Sequence, residues 1–355
     1  MINQGSEAPE AALQCVRAAI VTVVAGRDLD EGAMRAVVDT VMSGAATPAQ
    51  IGSLLTALRM KGESVDELVG TARALRARML RVPWSGLAVD TCGTGGDGAD
   101  LFNVSTAVAL VVAGAGVVVA KHGNRAQSGR VGGADVLEAL GVRIDLPPEG
   151  VARCLERAGV GFCFAPRFHA AMRYAAGPRR EIGLRTIFNL AGPLANPAGA
   201  AVQLVGVAEP RWTAPMAEAL RRLGASRALV VHGSGLDEIS TVGPTRVSEV
   251  GPDGVRTYEL SPADFGLADS GPVPRLIDAA ESAATIRSVI SGVVGPARDL
   301  VLVNAAAVLV LAVRAVDWRA GMAAAAAAED GGAAARARAC LVVTSNVYSE
   351  EAASA

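Results

Sequence analysis

The sequence predicts an α/β protein with a small all-helical N-terminal domain and a large α/β domain, whose mainly parallel central sheet is flanked by helices. Three observations predict it. Residues 1–82 carry repeated helix-start signals with no strand between them. From Leu87 onward, short apolar runs alternate with helix-like stretches, as when a parallel sheet is covered by helices. A glycine-dense turn then joins an apolar run starting at Val89 to a helix start at Asn103. A length of 355 residues suits about two domains. Hydrophobic residues make up 51% and aromatics 3%, so the core must be built from Ala, Val, Leu and Ile.

In the helical part, residues 11–25 place apolar side chains at helical spacing, and Asp28 or Asp30 can cap the next helix, 32–42, which stops at Ser43-Gly44. Thr47-Pro48-Ala49-Gln50 combines an N-cap hydroxyl, Pro at the first helical position and Gln three residues after the cap. Ser64-Val65-Asp66-Glu67 repeats that logic before residues 68–79.

In the second part, 117–120, 161–164, 203–207 and 228–231 are predicted strands, and 255–260 adds one near an edge. Helices are predicted at 107–114, 134–140, 147–158 and 214–223. From Asp278 the chain returns to helix over 299–316, and the alanine run 323–328 is read as helix because alanine is the best helix former.

A net charge of -2 gives no electrostatic footprint for nucleic acid. Five scattered cysteines without a C-x-x-C pair argue against a disulfide framework or zinc site and suit a reducing cytoplasm. The first ten residues are polar, unlike a targeting signal. The longest apolar runs, 107–120 and 300–313 (the second interrupted by Asn304), are too short to span a bilayer.

Four segments carry chemistry. Gly93, Gly95 and Gly96 free backbone N–H groups to approach an anion, and a helix start at Asn103 to Thr106 adds partial positive charge. This is an anion site or a plain tight turn; it matches neither G-x-G-x-x-G nor a Walker loop. Lys121-His122-Gly123-Asn124-Arg125 leaves the carboxyl end of a predicted strand, where open α/β sheets place ligands, and Lys121 and Arg125 suit phosphate oxygens. In Arg179 to Pro197, one arginine suits a substrate carboxylate, or the arginines are surface ion-pair partners; Asn196-Pro197 marks a shaped turn. Asp237-Glu238, after strand 228–231, suits Mg²⁺ or is a solvated acidic turn. His122, His169 and His232 lie in or beside these segments without metal-ligand spacing, and are read as hydrogen-bonding groups.

Together, Gly93-Thr-Gly-Gly-Asp97 with Asn103-Val-Ser-Thr106, Lys121-His-Gly-Asn-Arg125, the Arg179–Pro197 segment and Gly235-Leu-Asp-Glu238 resemble the anthranilate phosphoribosyltransferase family in order and approximate spacing, up to about residue 317. The resemblance implies a small domain of 1–82 with a returning segment at about 168–190, and a large phosphoribosyl-pyrophosphate-binding domain of 83–167 and 191–355. It implies a cytoplasmic homodimer formed through the helical part, with no nucleic-acid or membrane partner. Phosphoribosyl pyrophosphate would be held by Gly93, Gly96, Asp97, Asn103, Val104, Ser105, Thr106, Lys121, His122, Gly123, Asn124, Arg125, Ala126, Gln127, Ser128 and Gly129. Anthranilate would meet Gly93, Asn124 and Arg179. Mg²⁺, the implied cofactor, would meet Ser105, Asp237 and Glu238, and His122 is a candidate helper in catalysis. The sequence departs from the family pattern at Leu101 and Gly133, where hydroxyls are usual, and at Ala170, where Pro is usual.

The reaction so implied, in tryptophan biosynthesis, moves the 5-phosphoribosyl group from phosphoribosyl pyrophosphate to the anthranilate amine and releases pyrophosphate. Three rivals are a related transferase with another aromatic acceptor, a pyrimidine-nucleoside phosphorylase and a non-catalytic nucleic-acid-binding paralogue. The Arg179–Pro197 segment and the acidic pair Asp237-Glu238 argue against the phosphorylase. The retained acids and the net charge of -2 argue against the paralogue.

Overall fold

The fold is described from a computed structural model, which describes residues 7–126, 131–268, 270–273, 275–276 and 278–353. The chain divides into two compact units, Met1–Leu80 with His169–Ala195, and Arg81–Phe168 with Asn196–Ala355.

The first unit is helical. It begins with α1 (Glu7–Val24), α2 (Glu31–Met42), α3 (Pro48–Lys61) and α4 (Val65–Arg78). The start signals act as local chemistry requires. Asp30 Oδ1 accepts the Ala33 N–H at 2.8 Å, and both expected capping boxes close, Thr47 with Gln50 and Ser64 with Glu67. Glu67 does more than cap. Fully buried, it also accepts the Leu29 N–H at 3.0 Å and the Lys61 ammonium at 3.0 Å, so its charge is paired inside the unit. Helices α2 and α4 touch so closely that a Cβ at Gly70 would lie 2.5 Å from the Glu31 carbonyl oxygen.

The second unit opens with β1 (Val89–Gly93), α5 (Val104–Gly114), β2 (Val119–Gly123), α6 (Gly133–Ala139), α7 (Pro148–Ala158), β3 (Val160–Phe164) and α8 (Ala165–Phe168). The chain then returns to the first unit as α9 (Arg173–Ile182) and α10 (Ile187–Ala191). This return extends to Ala195, beyond the expected 190, because the 3₁₀ turn Gly192–Leu194 stays on α4: Arg76 Nε donates to the Leu194 carbonyl at 2.7 Å.

Next come β4 (Val202–Gly206), α11 (Thr213–Arg222), β5 (Arg227–Gly233), β6 (Thr245–Gly251), β7 (Gly254–Leu260) and four helices, α12 (Ala279–Val289), α13 (Pro296–Leu311), α14 (Trp318–Asp330) and α15 (Ala333–Ala353). The sheet order is β3-β2-β1-β4-β5-β6-β7, with β3 to β5 parallel and the β6–β7 hairpin antiparallel. Strand β6 escaped the sequence reading because Thr245-Arg-Val-Ser-Glu-Val lacks a continuous apolar run, although Val247 and Val250 are buried. Helix α13 ends at Leu311, short of the expected 316, and Val313 there takes a left-handed φ of 57°.

The core of this unit is aliphatic. Helices α5 and α13 are buried almost throughout, which is why both read as featureless apolar runs. Among the described residues, no helix is long and apolar enough to cross a membrane.

Candidate active site

Strand order locates the site. From β1 the chain winds outward through β2 and β3, whereas β4 leads to β5 on the other side, so the order reverses between β1 and β4. Open α/β sheets bind ligands at the carboxyl ends of strands flanking such a reversal, because the loops diverge there and leave a crevice. The strand ends pair as Gly93 with Gly206.

Asp237 fills the gap above these two glycines. A Cβ at Gly93 would lie 2.6 Å from Asp237 Oδ2, and one at Gly206 would overlap the Asp237 carbonyl. Gly95 donates its N–H to Asp237 Oδ2 at 3.0 Å, and the Asp237 N–H reaches Asp97 Oδ2 at 3.4 Å. The turn needs its glycines: Gly95 and Gly96 have φ of 61° and 81°, where a side chain is strained. Thus Gly93–Asp97 and Asp237-Glu238, far apart in sequence, form one cluster.

The helix start beyond the turn is built by Asn103. Its Oδ1 accepts the Thr106 N–H at 3.1 Å and the Ser105 hydroxyl at 3.3 Å, and also bonds the Thr106 hydroxyl. Val104 opens α5 and is buried. Leu101 packs partly buried against the core, so an apolar side chain there satisfies the fold. Gly133 faces the Asn103 cluster: a Cβ there would sit 3.7 Å from Lys121 Cε and Thr106 Oγ1, and 3.8 Å from Asn103 Oδ1. That is ordinary contact, with room for the hydroxyl this chain lacks.

Lys121 lies under the cluster, 4% exposed. Its ammonium donates to the Thr91 carbonyl at 2.8 Å and to Ser105 Oγ at 2.9 Å. Burial pulls its pKa below the ordinary lysine value, opposed by the negative potential of Asp90, Cys92, Glu238 and Asp237. Glu238 is pushed well above the usual carboxylate range by its enclosure in protein and by Asp237 and Asp97, against Lys121, although part of the residue reaches solvent. A carboxylate whose ionisation neighbouring acids oppose, as at Glu238, is what a divalent cation relieves.

Asp90 and Asn196 were not among the expected site residues. Asp90 is fully buried; its Oδ1 accepts the His122 N–H at 3.1 Å and its Oδ2 accepts Asn196 Nδ2 at 2.8 Å. Asn196 Nδ2 also donates to the Ala120 carbonyl at 2.8 Å. Burial raises the Asp90 pKa, offset by Asn196, Lys121 and the His122 N–H. The signal for Asp90 was a lone carboxylate inside the strand Val89-Asp90-Thr91-Cys92; Asn196 could be read only as a turn residue, since its partners are 76 and 106 positions away. The His122 side chain is buried at the same strand end.

Beyond Gly123, Ala134 donates its N–H to the Asn124 carbonyl at 3.2 Å, and Asp135 Oδ2 accepts from both Ala126 N and Gly132 N. The Arg125 guanidinium, expected at phosphate oxygens, faces carboxylates here. It pairs with Glu138 at 2.6 and 2.9 Å and with Asp135 at 2.8 Å, and lies 5.7 Å from the Phe164 ring centroid. Local carboxylates on α6 therefore occupy a cation that sequence pattern assigned to phosphate. The expected contacts at Gln127, Ser128 and Gly129 lie outside the described residues.

In the helical unit, Arg179 is largely enclosed, its guanidinium 5.6 Å from the Phe188 ring centroid and its Nη2 3.5 Å from Asn189 Oδ1. Burial lowers its pKa, though it stays a cation. His169 is buried, with Nε2 3.1 Å from the Ala195 carbonyl, and Ala170 begins a 3₁₀ turn. His232 Nδ1 donates to the Val207 carbonyl at 2.9 Å.

Comparisons with known proteins identify the family and the fold. Residues 85–335 match the glycosyl transferase family, a/b domain, and residues 17–79 its helical bundle domain. Anthranilate phosphoribosyltransferase of Moorella thermoacetica is 55% identical over 304 residues, 84% of this chain and 88% of that protein. The Rhizobium meliloti enzyme is 52% identical over 305 residues, 86% and 90% of the two chains. The crystal structure of anthranilate phosphoribosyltransferase from Thermus thermophilus superposes with a TM-score of 0.86 at 44% identity, covering 92% of this chain and 99% of that one. The Saccharomyces cerevisiae enzyme in complex with PRPP and Mg has a TM-score of 0.84 at 24% identity, covering 94% and 98%, and shares the fold. With a family domain spanning most of its length and relatives above half identity over most of theirs, the chain belongs to the anthranilate phosphoribosyltransferase family.

Proposed function

We propose that this protein transfers the 5-phosphoribosyl group of phosphoribosyl pyrophosphate to the amine of anthranilate, with inversion at C1 of the ribose. The amine nitrogen bonds to C1, the C1–O bond to pyrophosphate breaks, and the nitrogen then releases a proton. The observation that carries the reading is the union of the glycine turn, buried Lys121 and Asp237-Glu238 at the reversal of strand order.

As C1 loses its leaving group, charge grows on pyrophosphate oxygens. The Gly96-Asp97 end of the turn, the α5 start held by Asn103, and the Lys121 charge oppose that growth without reorganising. Asp237 and Glu238, with the second lone pair of Ser105, would hold Mg²⁺, which supplies Lewis-acid neutralisation of the pyrophosphate. Asn124 and Arg179 would orient the acceptor, the arginine by its carboxylate. Arg125 and Ala126 would serve through their backbone, since Glu138 and Asp135 hold the Arg125 side chain. His122 needs no proton-transfer role, because the aryl amine becomes acidic once bonded to C1.

We further propose a cytoplasmic homodimer formed through the helical unit, which exposes Val21, Val24 and Met60. Mixing the protein with Mg²⁺, phosphoribosyl pyrophosphate and anthranilate should extinguish anthranilate fluorescence. A folded protein that leaves it unchanged would exclude anthranilate as acceptor.

A further inference from the structure

Asn304 interrupts the longest apolar stretch of the C-terminal part, and none of the site chemistry above uses it. It is fully buried on α13, and all its hydrogen bonds go to backbone. Its Oδ1 accepts the Ile239 N–H at 2.9 Å; its Nδ2 donates to the Ile239 carbonyl at 3.1 Å and to the Leu300 carbonyl at 2.8 Å. One amide side chain thus meets both polar groups of a single residue, as a neighbouring strand would, and that residue directly follows Asp237-Glu238.

The rest of the loop is fixed on its other flank. Gly233 and Leu236 exchange both backbone hydrogen bonds at 3.0 Å, and the Ser240 N–H reaches Thr245 Oγ1 at 2.9 Å. A Cβ at Gly233 would come within 2.5 Å of the Glu238 carbonyl, so backbone packs on backbone there. Between these points the peptide of Ile239, 1% exposed, has no strand partner, and Asn304 provides one.

We propose that Asn304 is a positioning residue for the Asp237-Glu238 carboxylates: by holding Ile239 from α13, it fixes the direction in which both acids leave the loop. This rests on reading that pair as the Mg²⁺ ligands. Leucine at this position would match the apolar helix and the side-chain volume, yet would leave the Ile239 N–H and carbonyl unpaired in the core. The loop would then shift to find partners, taking the carboxylates with it.

Asn304→Leu and Asn304→Ser test this; serine keeps a hydroxyl and leaves space for water. Three quantities would be measured: Mn²⁺ affinity by titration calorimetry with phosphoribosyl pyrophosphate present, hydrogen exchange in peptides spanning residues 236–241 without metal, and KM for anthranilate. Asn304→Leu should weaken Mn²⁺ binding about tenfold or more and speed exchange in that segment, with Asn304→Ser intermediate and KM for anthranilate within about twofold. Unchanged metal affinity in a folded variant whose exchange has risen would overturn the inference, as would unchanged exchange. If Asn304→Leu does not fold, Asn304→Ser decides by the same measurements. A wild-type protein that binds no metal under these conditions would instead sink the Mg²⁺ reading, and with it the role given to Asn304.

Discussion

Gly95 donates its backbone N–H to Asp237 Oδ2 at 3.0 Å across 142 positions of sequence. That bond makes the glycine turn and the acidic loop a single object, and fixes which carboxylate oxygen faces the turn. Because a Cβ at Gly93 would lie 2.6 Å from the same oxygen, Gly93→Ala must displace Asp237. The Mg²⁺ concentration for half-maximal activity should rise about tenfold in Gly93→Ala, and further in Asp237→Ala with Glu238→Ala. A metal titration superimposable on wild type would remove the pair from the metal site.

Lys121→Met keeps the length of the buried side chain and removes its charge. The Thr91 carbonyl and Ser105 hydroxyl lose their donor, and Asp90 loses a neighbouring cation. The expected outcome is a fall in kcat of about 10²- to 10³-fold, the scale for one preorganised group at a developing charge. Single-turnover rates at saturating substrate check it; a rise in KM with kcat unchanged would place the ammonium away from the leaving group.

Arg179→Ala should raise KM for anthranilate far more than KM for phosphoribosyl pyrophosphate, by about 1.5–3 kcal/mol of binding for a charge-assisted contact. The mutation also removes the stack on Phe188, so thermal unfolding belongs beside the kinetics. An equal rise in both KM values would end the assigned role.

His169 makes stability fall with acid. Burial lowers its pKa from 6.5 to about 4 despite its bond to the Ala195 carbonyl, so the folded state keeps it neutral while the unfolded chain takes up a proton. Its stabilising effect is complete above pH 6.5 and is lost as pH falls toward 4. Between pH 7 and pH 5 the wild type should lose about 2 kcal/mol more than His169→Gln. Equal losses in denaturant titrations at the two pH values would exclude His169 as the cause.

Where chemistry is local, the sequence was a sufficient guide. Thr47, Ser64 and Asp30 cap helices because a hydroxyl or carboxylate two or three residues from an orphan N–H has little choice of partner. The glycines at 95 and 96 declared a turn because only glycine takes their φ without strain. Alternating apolar runs and helix patterns sufficed for a mainly parallel sheet. Strand β6 is the exception, since its buried residues mix Val247 and Val250 with the polar Thr245 and Ser248, which dilutes the apolar signal.

Tertiary structure decided what each polar group does. From sequence, Arg125 was a phosphate ligand, because pattern cannot see that Asp135 and Glu138 will stand on the facing side of α6. Asp90, Asn196 and Asn304 looked like an oddity, a turn and an interruption; folding turned each into a buried hydrogen-bonding hub. Sequence alone determined the two-part architecture, the loops that gather at the strand ends and the family. Only the three-dimensional fold determined which side chains in those loops face each other, because partners lie from 10 to 142 residues apart and their meeting depends on strand order and helix packing.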